Sequence, residues 1–254
     1  RFKGRVRMVP VGTLIFPGEP ILEVDGDPIE AQIVETLVIP YVNMMTNFGT
    51  KAARVVMAAH GIPVAEGGTR RGAAGIFSGL AAYLAGAVGT SNTETGSVFD
   101  VSVYGSAAHA WFGLHEGDYN QEITQLTALL AYSQLFPSAT PPADTYGVEE
   151  GVRAAVRARG RDLPGLRLDS ALPGKTKSET SRIAAQILRD LGYEVGRGGV
   201  AITYSDGIDE YEEQRMHRDG AEVHSFLVGG ELAAPGDSGN DNMVYKLTEV
   251  RHLS

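Results

Sequence analysis

From residue 62 onward the sequence repeats one unit: a short apolar run, a turn of polar and glycine residues, then a helical stretch. Ile62–Glu66 precedes an Ala-rich helical stretch at Ala73–Ala87. Asp100–Tyr104 precedes Ser106–Leu114 and a longer helix at Asn120–Phe136, and a weak run at Pro141–Tyr146 precedes Glu149–Ala158. Gly165–Asp169 leads to Lys175–Leu191, Val200–Tyr204 to Asp209–Asp219, and Val223–Val228 ends at Gly229-Gly230. Strands separated by whole helices cannot pair as hairpins, so they lie parallel in one helix-covered sheet. Five clear strands and one weak one, with no reversal signal between them, favour a closed α/β barrel over an open doubly wound sheet.

The first residues read differently. Val6–Gly12, Thr13–Phe16 and Ile21–Gly26 are short strand-like runs between turn residues, which predicts a small β-sandwich-like segment similar to biotinyl or lipoyl carrier folds. A carrier needs a lysine at a hairpin tip, and none lies between Lys3 and Lys51, so the segment reads as structural. Helical stretches at Ala31–Tyr41 and Thr46–His60 follow, the second closed by Gly61 with Pro63 just beyond. The expected division is therefore a β-rich part over residues 1–30 and an α/β-barrel domain over 31–254. Arg1 stands where an initiator Met is expected, so the start reads as a cut.

Composition narrows the function classes. With no cysteine there is no disulfide, thiolate metal site or thiol nucleophile. The longest weakly polar stretch, Ile76–Val88, is interrupted by Ser78, Gly79 and Gly86 and falls short of the ~20 apolar residues a membrane span requires. No signal peptide opens the chain, and a cytoplasmic protein is expected. The net charge of −9 and dispersed basic residues argue against nucleic acid as a partner. Phosphates can still bind where a few arginines and backbone amides converge.

In parallel α/β folds ligands bind where strands end and helices begin. Here those exits are Glu66-Gly-Gly-Thr69-Arg70-Arg71, Gly105-Ser106-Ala-Ala-His109, Asp144-Thr145, Arg167-Leu-Asp169-Ser170, Ser205-Asp206-Gly207 and Gly229-Gly230. Arg70 and Arg71 offer planar donor forks suited to a pyrophosphate or a carboxylate. Arg167 and Asp169 share a strand face because side chains alternate with period two. There the arginine suits a carboxylate, and the acid suits ribose hydroxyls or Mg²⁺. The turns at Ser205–Gly207 and Gly229-Gly230 have short side chains and amides able to cradle a phosphate. His109 stands alone as a histidine at a strand exit. Each feature also has a plain structural reading: a solvated arginine pair, an ion pair, a loop, a core histidine. Their common location is what argues for a site.

Several segments resemble the nicotinate phosphoribosyltransferase family: Val9–Pro20, Ala31–Thr36, Thr50–Val55, Gly89-Thr-Ser-Asn92, Gly105–Trp111, Arg167–Ser170 and Val244–Glu249, in family order. The resemblance implies an irregular α/β barrel, a homodimer with shared active sites, and synthesis of nicotinate mononucleotide from nicotinate and phosphoribosyl pyrophosphate. It also implies Mg²⁺, and ATP as co-substrate, coupled through a phosphohistidine. His109 resembles that histidine, and Ser106 and Arg167 resemble the nicotinate contacts. Gly230 resembles a phosphoribosyl contact, and Thr69, Arg70 and Arg71 resemble the arginine-bearing loop. Ser91 stands where nicotinamide-using relatives carry aspartate, which implies preference for nicotinate. The family's Asp-Ser-Gly-Asp is here Asp169-Ser170-Ala171-Leu172, its Ser-Gly-Asp turn reads Ser205-Asp206-Gly207, and its Gly-Val-Gly-Thr reads Leu227-Val228-Gly229-Gly230. Against the family the chain reads as truncated at both ends. A nicotinamide or quinolinate phosphoribosyltransferase, or a non-catalytic fragment of the fold, stand as alternatives.

Overall fold

The computed structural model describes residues 1–117, 120–236 and 241–251. In chain order the elements are β1 (Arg5–Met8), β2 (Leu22–Asp25), α1 (Pro28–Ala58), β3 (Val64–Glu66), α2 (Ile76–Leu84), β4 (Gly89–Thr90), α3 (Thr93–Phe99), α4 (His109–Gly113), α5 (Gln121–Leu135) and α6 (Val148–Arg159). They continue with β5 (Gly165–Leu168), α7 (Lys177–Asp190), β6 (Ala201–Tyr204), α8 (Glu210–Arg218), β7 (Ser225–Val228) and α9 (Gly230–Ala233).

The central sheet has five strands in the order β4-β3-β7-β6-β5, every neighbouring pair parallel. The expected parallel α/β architecture is thus present, but as a five-stranded ladder rather than a continuous closed barrel. Both edges carry only single parallel bridges, Val103 to Thr90 beside β4 and Pro142 to Arg167 beside β5. The strands expected at Asp100–Tyr104 and Pro141–Tyr146 shrink to these bridges. Pro141 and Pro142 have no N–H to give, so the second segment pairs through what is left: the Pro141 carbonyl accepts from the Arg167 amide at 2.8 Å, and the Ala143 amide donates to the Arg167 carbonyl at 3.0 Å.

Alternation sorts the strand side chains. Leu166, Leu168, Ile202, Tyr204, Phe226 and Val228 are buried in the core formed with the helices. Arg167, Thr203 and Ser225 occupy the other face, in register with one another, and Thr203 and Ser225 share a hydrogen bond of 2.7 Å.

Two expectations change. The N-terminal β-sandwich reduces to a single antiparallel pair, β1 with β2, and Thr13–Phe16 is not a strand. The two helices expected before residue 60 are one, because α1 runs through Pro40. Pro40 is exposed, so water can take up the carbonyl of Thr36 that proline leaves without a donor. Asp27 caps α1 by accepting from the amides of Ile29 and Glu30. Among the described residues no helix is long and apolar enough to cross a membrane.

Candidate active site

The exits of β5 and of the Pro142 segment lie side by side. Asp144 Oδ2 accepts from the Asp169 amide and from the Ser170 hydroxyl, both at 2.7 Å, which fixes the turn after β5. Asp169 is the hub of the cluster. Its Oδ1 accepts from Ser205 Oγ at 2.7 Å, while Oδ2 lies 3.3 Å from His109 Nε2 and 3.5 Å from Arg167 Nη2. Burial works against its charge, but the His109 hydrogen bond, the Arg167 guanidinium and the Ser205 hydroxyl outweigh it. Together they hold the carboxyl down at about 2.

An ionised carboxylate only accepts, so the proton in the His109–Asp169 contact belongs to Nε2. In the neutral ring Nδ1 is then the lone-pair side, and it accepts from Thr145 Oγ1 at 3.0 Å. The His109 side chain is 40% exposed at the start of α4. A carboxylate orients one nitrogen, and the other meets only a hydroxyl that can rotate away. That is how a nucleophilic or proton-carrying imidazole is set up.

Arg167 lies beside this histidine with its side chain 11% exposed. Nη2 also donates to the Ala107 carbonyl at 3.3 Å, and Nε is buried without an acceptor. Ser106, from the same loop as Ala107, donates to the Thr140 carbonyl at 2.9 Å.

A second cluster gathers the exits of β3, β4 and β7. Glu66 is fully buried, accepting from the Gly68 amide with one oxygen and from Thr90 Oγ1 at 2.6 Å with the other. The Ser91 amide donates to the Glu66 carbonyl at 2.7 Å, and the Ser91 hydroxyl meets Thr69 Oγ1 at 2.7 Å and the Thr69 amide at 3.3 Å. The Gly67 amide donates to the Val228 carbonyl at 2.7 Å, bringing the arginine loop against Gly229-Gly230. Gly68 must be glycine here: a Cβ would lie 2.4 Å from Ala233 Cβ and 2.6 Å from the Gly229 carbonyl oxygen. Arg70 and Arg71 are exposed and form no ion pair among the described residues.

The residues singled out from the sequence sit at C-terminal strand ends, in the loops beyond them or, for His109 and Gly230, at the first residue of a helix; Ser106 and His109 follow the Val103 bridge rather than a strand. Direct contacts join His109, Arg167, Asp169 and Ser205 into one group, to which Asp144 ties Ser170, and Thr69 and Ser91 into another, with Gly229 packed against the second. No side-chain hydrogen bond links the two groups among the described residues. Three partners escaped the sequence reading as functional side chains: Asp144 and Thr145, noted only as a turn, and Glu66, noted only as a turn's first residue. Lys177 was missed altogether; its Nζ donates to the carbonyls of Asp206 and Gly207. Nothing in the local sequence marks a lysine whose partners lie 29 and 30 positions away. As for metals, no group of three or more His, Asp or Glu among the described residues is arranged to hold an ion.

No protein-family model matches the chain. Over 254 residues it is 35% identical to nicotinate phosphoribosyltransferase pncB1 of Mycobacterium tuberculosis, an alignment covering 98% of this chain and 54% of that protein. The chain spans about half the length of the curated relatives it matches. Among solved structures it resembles nicotinate-nucleotide pyrophosphorylase from Pyrococcus furiosus, with a TM-score of 0.78 at 24% identity over 90% of this chain and 57% of that one. Human nicotinic acid phosphoribosyltransferase matches with a TM-score of 0.69 at 24% identity, over 88% of this chain and 55% of that one. At that identity the structures speak for the fold. The curated relatives make the chain a homologue of nicotinate phosphoribosyltransferases over most of its length, at 27 to 35% identity.

Proposed function

We propose that this homologue of the nicotinate phosphoribosyltransferases carries their base and phosphoribosyl site, and that it joins nicotinate to C1 of phosphoribosyl pyrophosphate with ATP as co-substrate. The observation that carries this reading is Arg167. A buried guanidinium with one N–H lacking an acceptor is incomplete, and a missing partner for such a group costs about 1–3 kcal/mol. The carboxylate of a pyridine base is an acceptor of the right charge and shape. Ser91 adds no charge to repel it, and Ser106 lies in the loop over Arg167.

In the transfer step the ring nitrogen bonds to C1 as the C1–oxygen bond to pyrophosphate breaks, and the bonding pair leaves with pyrophosphate. We assign the ribose hydroxyls to Asp169 and Ser170, the pyrophosphate to Thr69, Arg70 and Arg71, and the ribose phosphate to the turns at Ser205–Gly207 and Gly229-Gly230. His109 Nδ1 is the assigned phosphoryl acceptor: it attacks the terminal phosphorus of ATP, and ADP leaves. Asp169 then steadies the ring through Nε2. Mg²⁺ would enter with the pyrophosphate, since such sites combine one or two carboxylates with substrate oxygens. The orphaned Oδ1 of Asp144 next to Asp169 suits it, and the ion would neutralise leaving-group charge.

Barrel closure belongs to the same proposal. Its support is the Ser106–Thr140 hydrogen bond, which spans the gap between the two outer segments of the sheet. A cytoplasmic homodimer with shared sites is part of it too. The test is product formation by the purified chain from nicotinate, nicotinamide or quinolinate, each with and without ATP and Mg²⁺. Nicotinate mononucleotide is the expected product, lost in Arg167→Ala. Faster turnover of another base reassigns the substrate, and no turnover of any base refutes the enzymatic reading.

A further inference from the structure

The turn after β6 presents an acid, Asp206, where the proposed function puts a phosphate. A carboxylate aimed at a phosphate repels it. The surroundings of Lys177, the first residue of α7, remove the conflict. Its Nζ lies 2.7 Å from the Asp206 carbonyl, 3.0 Å from the Gly207 carbonyl and 3.7 Å from Asp206 Oδ2. The three ammonium protons thus face three oxygens of a single turn. The side chain is 18% exposed and its donors face the turn, so it is not a free surface charge.

The backbone follows from this. Peptide units are planar, and here all are trans, so each carbonyl points opposite to the N–H of its own unit. With the carbonyls of Asp206 and Gly207 both turned to one ammonium, the amides of Gly207 and Ile208 both point to the opposite side. Gly207 is left-handed, with φ of +49°, and successive amides around such a residue form a concave anion nest. Neither amide meets an acceptor among the described residues.

We propose that Lys177 is the positioning residue of this phosphate turn. It gathers the carbonyls and the Asp206 carboxylate on one side so that the Gly207 and Ile208 amides face the phosphate of phosphoribosyl pyrophosphate on the other. The inference rests on the function proposed above. It also answers the departure at this turn: with lysine on one side, the order Asp-Gly presents amides to the ligand instead of an acid.

Two measurements test it. The Thr176–Glu179 capping box holds the start of α7 without the Lys177 side chain, so Lys177→Met leaves that helix folded. On ligand-free protein, hydrogen–deuterium exchange of the Ser205 amide, which donates to the Leu168 carbonyl at the start of the turn, should quicken in Lys177→Met while 225–230 stays unchanged. Unchanged exchange at Ser205 overturns the proposal. Calorimetric titration with phosphoribosyl pyrophosphate and Mg²⁺ should show binding weakened about tenfold or more in Lys177→Met, the loss of one charge-assisted contact. Adding Asp206→Asn should recover part of the loss, because it removes the repulsion of the freed carboxylate while the carbonyls stay ungathered. Wild-type affinity in Lys177→Met, or no recovery in the double variant, overturns it. A wild-type chain that binds no phosphoribosyl pyrophosphate refutes the proposed function instead, and the exchange measurement then decides the role of Lys177 without any ligand.

Discussion

Replacing Glu213 with glutamine tests the electrostatics of α8, the helix that follows β6. Glu213 lies in α8 with 1% of its surface exposed, and neither carboxylate oxygen has a hydrogen-bond partner. Burial first, then the negative charges of Asp209 and Glu210, push its carboxyl from 4.5 up to about 8. The folded state therefore holds a proton that the unfolded chain releases near 4.5. This contribution to stability is complete below that pH and is lost as pH rises through about 8. The gap of about 3.5 pH units, at ~1.4 kcal/mol each, sets an upper bound of about 5 kcal/mol. Roughly 3 kcal/mol of it develops between pH 5 and pH 8. Glutamine is neutral throughout, so it carries a fixed cost for its amide but no such slope. Urea unfolding of both proteins from pH 5 to pH 8.5 reads the difference directly. The stability of Glu213→Gln relative to wild type should improve by about 3 kcal/mol across that range. Parallel profiles would refute the reasoning, since they would mean that Glu213 finds a partner or stays hydrated.

Under the proposed function, His109→Ala should abolish stimulation by ATP and leave slow uncoupled transfer; ATP hydrolysis at the wild-type rate would sink the assignment. Ser91→Asp should lower kcat/KM for nicotinate by about 100-fold and raise the relative use of nicotinamide, since a fixed charge would face the base carboxylate across a dry site. Asp169→Asn should cost about 2 kcal/mol at neutral pH. Because the folded carboxyl titrates below its unfolded value of 3.8, that deficit should shrink as pH falls through about 2, as thermal melts would read out. Gly68→Ala should destabilise by about 1–3 kcal/mol and weaken phosphoribosyl pyrophosphate binding, as the added methyl prises the arginine loop from Gly229; denaturation and calorimetry measure the two effects.

The parallel α/β order was legible in the sequence because β3, β5, β6 and β7 are apolar runs bounded by polar or glycine turns. What hid β4 was its length: Gly89–Thr90 has no periodicity to read, and its pairing comes from β3 on one side and the Val103 bridge on the other. α1 read as two stretches, Ala31–Tyr41 and Thr46–His60, because no local signal shows that residues 42–45 continue the helix between them. At the site, Arg167 and Asp169 were readable as neighbours from strand alternation alone. The partnership of Asp169 with His109 spans 60 residues, and those of Lys177 with Asp206 and Gly207 span 29 and 30. Contacts of that range are products of topology. Glu66 was invisible for another reason: an acid just before two glycines looks like any polar turn until Thr90 arrives from the next strand.

The proline pair beside β5 has a mechanical consequence. Among the described residues no backbone hydrogen bond joins 101–108 to 137–146; the Ser106 hydroxyl on the Thr140 carbonyl spans that seam. Prolines on one lip cannot build the ladder that stiffens the other strand junctions. Compliance is therefore concentrated along a line with His109 on one side and Thr145 on the other. If the two outer segments of the sheet are to move apart without breaking the core, they part there. The two halves of the histidine's own hydrogen bond would then move with the opposite walls.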